Sequence, residues 1–156
     1  MSVFVNTVDS IGDEALTNSI IDRSITEIRD NYATSIGEYA FYNCPKLTTA
    51  VFPAATSIGG YAFSNCFSLT TADFPAATSI GNMAFYSCSK LTALILRSGT
   101  MATLNGAYAL NNTPINSGTG YIYVPSALVD SYKAASNWST FANQFRAIED
   151  YPEICG

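Results

Sequence analysis

Between Ala33 and Arg97 the chain says the same thing three times. The segments Ala33-Thr34-Ser35-Ile36-Gly37-Glu38-Tyr39-Ala40-Phe41, Ala55-Thr56-Ser57-Ile58-Gly59-Gly60-Tyr61-Ala62-Phe63 and Ala77-Thr78-Ser79-Ile80-Gly81-Asn82-Met83-Ala84-Phe85 are near copies. Their cysteines give the period by subtraction, 66 − 44 = 22 and 88 − 66 = 22, and the isoleucines agree, 58 − 36 = 22 and 80 − 58 = 22. A period of this length describes a coil that cannot bury its apolar side alone and must stack on copies of itself. The chain is therefore expected to form one elongated solenoid.

Composition narrows what such a stack can meet. Of 156 residues only 12% are charged, the net charge is −5 and the pI about 4.4. Nucleic acid is excluded as a partner, because affinity for it comes largely from Lys and Arg neutralising phosphates. Seven carboxylates lie between Asp9 and Glu38 and four from Asp130 onward, with only Asp73 between them, so the repeat body is nearly neutral. No apolar run approaches ~18 residues, and Met1-Ser2-Val3-Phe4-Val5-Asn6 has neither a basic nor an apolar leader region. That reading predicts no membrane insertion and no visible secretion signal. It leaves a cytosolic product, a mature fragment or a particle component.

One coil can be read residue by residue. Leu69, Ala72 and Phe74 precede Pro75, as Leu47, Ala50 and Phe52 precede Pro53, and Leu91, Leu94 and Leu96 hold the same positions. The Ala72/Asp73/Phe74 alternation predicts a short strand with one face inward, ended by a proline that cannot donate to a ladder. Ala-Ala-Thr-Ser then reads as a turn. Ala62, Phe63 and Cys66 have the spacing of one or two turns of α- or 3-10 helix on the outer face. Gly37, Gly59 and Gly81 mark a corner that needs either positive φ or close backbone approach. Phe41, Phe63 and Phe85 predict a stacked aromatic spine, each ring burying roughly 150–250 Å². Cys44, Cys66 and Cys88 predict a ladder of inward, apolar thiols. With no histidine and no Cys-x-x-Cys pair, metal-site spacing is absent and no metal or cofactor is expected. Cys155, near the chain end, reads as the exposed thiol.

The run Ile-Gly-x-x-Ala-Phe-x-x-Cys-x-x-Leu, closing in Phe-Pro, resembles the BspA-like leucine-rich-repeat family, also called the Treponema-type repeat. The resemblance covers about Ala33 to Arg97. It implies an α/β right-handed solenoid with a short parallel sheet on the concave face, short helical or 3-10 turns on the convex face, and helical caps. It also implies adhesion and protein–protein contact. The expected division is an N-terminal cap over 1–32, three 22-residue repeats over 33–97, an irregular last coil over 98–125 and a C-terminal helical cap over 126–156. In the irregular coil Leu104 and Ala109-Leu110 loosely echo the Ile and Ala-Phe positions. Gly120 to Lys133 looks like the closing unit of such proteins, with a strand and Pro125 leading into a helix capped by Ser126 and running to about Ala135. Trp138, Phe141 and Phe145 are placed to cover the final coil. At the other end, Asp13 to Asp22 reads as an amphipathic helix and Ser24 to Ile28 as the first strand. The segment Val8-Asp9-Ser10-Ile11-Gly12-Asp13-Glu14 with Ile20-Ile21-Asp22-Arg23 also looks like the openings of short repeat proteins encoded by phages and prophages of gut bacteria.

Without histidine the usual Ser or Cys nucleophile arrangements lack their base. Asp73 reads as the one carboxylate on the sheet, which leaves no carboxylate pair for glycoside hydrolysis. The chain is expected not to be an enzyme. What remains is surface: register places Thr49, Thr71, Ala93 and Tyr121 in one outward row, and Val51, Asp73, Ile95 and Tyr123 in the next. Lys46, Lys90 and Arg97 stand at the strand ends as a cationic rim. The candidate binding residues are therefore Thr49, Val51, Thr71, Asp73, Ile95, Arg97, Tyr121 and Tyr123, for a protein or cell-surface glycan. Four or five strands ~4.8 Å apart span only about 20 Å, so one copy should bind weakly and useful adhesion should need many copies. A phage tail-associated or bacterial surface protein is the leading reading, on a virion or the cell surface, with the cytoplasm as the alternative location. A purely structural virion decoration or spacer, held by self-association as a homo-oligomer or multi-copy assembly, is the alternative function.

Overall fold

The computed structural model describes residues 24–155, with the backbone of Ser2–Phe4 and Ser10–Ile11. In chain order the elements are β1 (Ser2–Phe4), β2 (Ser10–Ile11), β3 (Ile25–Arg29), β4 (Ser35–Ile36), β5 (Thr49–Val51), β6 (Ser57–Ile58), β7 (Thr71–Asp73) and β8 (Ser79–Ile80). There follow β9 (Ala93–Ile95), β10 (Thr103–Leu104), α1 (Pro114–Ser117), β11 (Tyr121–Val124), α2 (Val129–Ala134), β12 (Phe145–Ala147) and α3 (Pro152–Cys155). They form two parallel sheets, one in the order β1-β3-β5-β7-β9-β11-β12 and the other β10-β8-β6-β4-β2. Each coil from β1/β2 to β9/β10 supplies one strand to each sheet, β11 and β12 extend the first alone, and the apolar residues of the coils fill the space between the sheets.

The first sheet is longer than its repeats suggest. Ser24 to Ile28 was expected to open it, but β1 pairs outside β3, with Val3 opposite Glu27. Seven strands at ~4.8 Å make a face about 29 Å across, wider than four or five strands allow. The predicted helix over Asp13 to Asp22 lies outside the described residues. The second sheet replaces the turn expected at Thr-Ser. Ser35, Ser57 and Ser79 pair in register, and Ile36, Ile58 and Ile80 beside them point inward. Leu104 takes the isoleucine place in the irregular coil, opposite Ile80. Exposed threonines stitch the flanks, with the Thr56 hydroxyl donating to the Thr34 carbonyl at 3.2 Å and that of Thr78 to Thr56 at 3.2 Å.

The corner glycines are there for close approach. A Cβ on Gly59 would stand 2.6 Å from the Glu38 nitrogen and 2.7 Å from the Gly37 carbon, and one on Gly81 would stand 2.4 Å from the Gly60 nitrogen. Positive φ falls instead on the convex turns, in pairs four residues apart: Tyr39 and Asn43, Tyr61 and Asn65, Met83 and Ser87. Around these residues the backbone makes i→i+3 bonds, such as Ser64 N–H to the Tyr61 carbonyl at 3.1 Å and Cys66 N–H to the Phe63 carbonyl at 3.2 Å. The left-handed residues break the run after each turn, so the convex face of the three repeats carries 3-10-type turns and no continuous helix.

The core is the expected ladder doubled. Phe41 stacks on Phe63 at 5.2 Å and Phe63 on Phe85 at 5.5 Å, while Phe52 stacks on Phe74 at 5.6 Å in a second column. Rings of the two columns also meet edge to face, as Phe63 and Phe74 do at 5.8 Å. Cys44, Cys66 and Cys88 are buried and in no disulfide. The Cys66 thiol donates to the Phe41 carbonyl at 3.2 Å and the Cys88 thiol to the Phe63 carbonyl at 3.0 Å. Burial pushes the Cys88 thiol up to about 12 and raises that of Cys66 well above the ordinary value, so both stay neutral and unreactive. Asp30 sits one period before Phe52 (52 − 22 = 30) and is fully buried. Its Oδ1 accepts from the Tyr32 and Ala33 N–H groups at 2.9 and 2.8 Å.

At the C-terminal end Trp138, Phe141 and Phe145 are buried over the last coil, as expected. Trp138 Nε1 donates to the Ala102 carbonyl at 2.7 Å, the Ala102 N–H donates to the Tyr132 hydroxyl at 2.7 Å, and Asn137 Nδ2 donates to the Leu104 carbonyl at 2.7 Å. Side chains thus occupy the Leu104 carbonyl of β10 and both backbone groups of Ala102 just before it, at an edge that would otherwise be open to pairing. Ser126 does not cap a helix with its side chain. A 3-10 turn over Ser126–Leu128 precedes α2, and the Ser126 hydroxyl and N–H both donate to Glu149.

Candidate functional site

Strand pairing sets the two outward rows of the concave sheet as the sequence spacing implies. Thr49 pairs with Thr71, Thr71 with Ala93 and Ala93 with Tyr121. Val51 pairs with Asp73, Asp73 with Ile95 and Ile95 with Tyr123. Both rows extend further than expected. Glu27 lies opposite Thr49, Arg29 opposite Val51, and Arg146 opposite Tyr123 at the other end. Asp73 is therefore not the one carboxylate on this sheet. The period could have found the first two residues, since 49 − 27 = 22 and 51 − 29 = 22.

The rows are not equally open. Thr49, Val51 and Thr71 are half-buried and face solvent from the sheet. Glu27 and Arg29 beside them form an ion pair at 2.6 Å, with the arginine side chain 61% exposed. Ile95 and Tyr123, expected on the free face, are buried instead, 1% and 3% exposed. The cause is the last stretch of chain. Beyond β12 a 3-10 turn (Ile148–Asp150) and α3 fold back across the sheet, and Ala93, Ile95, Tyr123 and Cys155 form an apolar cluster of their own, flanked by Tyr121, Ile148 and Tyr151. Cys155, expected to be the exposed thiol, is 3% exposed within it, and burial raises its pKa.

The border between the open and covered halves is polar. Arg97 grips Asp73 with two bonds, Nε to Oδ1 at 3.2 Å and Nη2 to Oδ2 at 3.0 Å, and Nη2 also donates to the Cys155 carbonyl. The bond to Asp73 holds the Arg97 guanidinium still more firmly protonated. Tyr151 meets Tyr123 edge to face at 5.4 Å, and the Arg146 guanidinium lies 4.4 Å over the Tyr121 ring. Glu149 ties the covering segment to the cap, its Oε1 accepting from the Ser126 N–H at 3.0 Å and its Oε2 from the Ser126 hydroxyl at 2.8 Å. Its own backbone N–H and these Ser126 donors hold its carboxyl below the usual value. Of the eight candidate residues, Thr49, Val51 and Thr71 thus line an open strip, Asp73 and Arg97 form its border, and Ile95, Tyr121 and Tyr123 meet the chain's own C-terminal segment. Lys46 and Lys90 are exposed as expected. Among the described residues no three of His, Cys, Asp and Glu gather as metal ligands would.

Coils of one period joined into two parallel sheets, with ladders of inward side chains between them, define a leucine-rich-repeat solenoid. The family model of the BspA type leucine rich repeat region matches residues 9–128 in six copies, and the chain belongs to that family. The match reaches beyond 33–97 on both sides, consistent with the strands added there. Its fold is similar to the crystal structure of a leucine-rich-repeat protein of T. pallidum, with a TM-score of 0.52 and 24% identity, over 64% of this chain and 45% of that one. The chain thus spans less than half the length of that protein. No curated protein matches the sequence. Repeats of this family typically bind proteins, are generally non-enzymatic and typically belong to surface or extracellular proteins. No described helix is long and apolar enough to cross a membrane.

Proposed function

We propose that the chain is a non-enzymatic adhesion module of a phage tail or bacterial surface, and that it meets a host protein or glycan through the open strip of the concave sheet. Thr49, Val51 and Thr71 provide the contact surface, Glu27 and Arg29 flank it on one side, and Asp73 with Arg97 bounds it on the other. One observation carries this reading: a row of half-exposed side chains is held in strict register by parallel strands and bordered on both sides by charge pairs. Such a surface is ordered before it binds, so little conformational entropy is lost on contact. The strip is small against a standard interface of ~800 Å² per partner, so display in many copies supplies the affinity one copy lacks. The likeness of the N-terminal segment to phage-encoded repeat proteins supports a virion as the display surface.

The test is binding of the labelled chain to a panel of intact gut bacterial cells, read by flow cytometry on multimers. Val51→Arg with Thr71→Arg should reduce binding at least tenfold at an unchanged melting temperature, while Phe67→Arg outside the sheet leaves it unchanged. Equal binding by the double variant sinks the concave-strip reading. Protease treatment of the cells abolishes binding to a protein receptor, and periodate treatment abolishes binding to a glycan.

A further inference from the structure

The C-terminal half of the concave sheet is the only part of that face with an occupant among the described residues, and the occupant shows what fits there. The segment over 148–155 contributes nothing to the main core, whose buried residues end at Phe145. Its contacts are of another kind. It offers the Tyr151 ring to Tyr123, the Cys155 side chain to Ala93, Ile95 and Tyr123, the Cys155 carbonyl to Arg97, and the Glu149 carboxylate to Ser126. An anchoring aromatic, a small apolar side chain four residues on and a backbone carbonyl held by an arginine make a compact set of contacts, with Tyr and Arg the residue types that most often anchor interfaces. The seat is also incompletely filled. Arg97, Pro125, Ile148 and Glu149 line a cleft of about 210 Å³ at the seam. Short helical turns with few contacts of their own belong to the parts of a fold that open before the whole.

We infer that the surface formed by Ala93, Ile95, Tyr121, Tyr123 and Arg97 is a peptide-binding site which the chain's own residues 148–155 fill, so that a partner protein must displace this segment with a turn of the same chemistry. The inference rests on the concave face being the binding face. It adds that the face has a second, masked half, selective for an aromatic residue followed four positions later by a small apolar one.

The experiment uses the full chain. A fluorescent synthetic peptide of residues 148–155 is titrated, by anisotropy, into wild type and into a Glu149→Ala, Tyr151→Ala variant whose own segment has lost two of its anchors. The variant should bind the peptide saturably and at least tenfold more tightly than wild type, and a peptide with Tyr151→Ala should lose at least tenfold. No binding by the folded variant, or equal binding by both chains, overturns the inference. Hydrogen exchange on wild type is the second measurement. The Tyr151 and Cys155 amides should exchange at least 100-fold faster than those of Phe63 and Phe74, and equal protection would make the segment an integral part of the cap. Size measurement on the peptide-free variant separates foreign partners from self-exchange, since a dimer would mean the segment is taken by a second copy and would overturn the foreign-partner assignment. No cells enter these assays, so they can fail while the Val51 and Thr71 effect on cell binding stands, and the reverse.

Discussion

The solenoid has two apolar clusters of opposite origin. The inner one is filled mainly by the same residue types from the three repeats, so each ring there meets its own copy one period away: Phe63 lies between Phe41 and Phe85. The outer one, on the concave face, is filled by contacts that occur once and have no copy one period away, Cys155 against Ile95 and Tyr151 against Tyr123. Repetition makes the inner cluster cooperative, because losing one ring empties contacts on two neighbouring coils. The outer cluster is closed by residues 148–155, none of which is buried in the inner one.

The sharpest way to break this contrast is to remove one member of each cluster. Phe63→Ala should cost about 3–5 kcal/mol, the range for a deleted buried aromatic, and lower the denaturant midpoint for the whole domain. Tyr151→Ala should cost well under half of that. Equal costs would mean that the two clusters form one cooperative unit. A second substitution probes the spacing of the coils. Gly59→Ala places a Cβ against the backbone of the preceding coil at 2.6–2.7 Å and should cost about 1–3 kcal/mol through overpacking. A melt indistinguishable from wild type would mean the coils can separate at no cost.

How far the sequence reveals each cluster follows from the same contrast. The inner core of the three repeats and the outward rows from Glu27 to Ile95 are readable because each contact there recurs every 22 residues, so one correct register places them. The irregular coil keeps the places without the spacing: Leu104 stands opposite Ile80 although 104 − 80 = 24, and the Ala109 carbonyl accepts from Phe85 N–H as that of Ala84 does from Phe63. Glu27 and Arg29 lie in register too, yet their coil lacks the Phe-Pro ending, since Asp30 stands where Phe52 and Phe74 stand in later coils. The second sheet escapes notice because strands of two residues are too short to show alternation. The covering segment escapes for a deeper reason. Nothing in Tyr151 to Cys155 repeats, and its place is set by contacts with Ile95, Tyr123 and Arg97 that no local pattern encodes.

Two smaller effects sharpen the boundary between the clusters. The Arg97–Asp73 pair is partly open to solvent, its side chains 30% and 18% exposed, so Arg97→Ala should cost only about 1 kcal/mol of global stability. Its larger consequence should be local, as faster exchange of the Cys155 amide with that of Phe74 unchanged. If both amides accelerate together, the arginine belongs to the main fold.

The smallest effect is a titration. Glu149 is fully exposed, and its pKa is lowered by its own backbone N–H and by the two Ser126 donors, below the usual glutamate value of 4.5. A depressed carboxylate pKa in the folded state means that the ionised form favours the seated segment. That contribution is complete above the usual value and is lost as pH falls through the lower, folded one. Acid should therefore loosen residues 148–155 below about pH 4.5 while the inner ladder, built of phenyl rings and neutral thiols, does not respond in that range. The Ser126 amide proton, which donates to Glu149 Oε1, reports the step directly by NMR, and Glu149→Gln should abolish it. A step that persists in the Gln variant would sink the assignment of the acid sensitivity to Glu149.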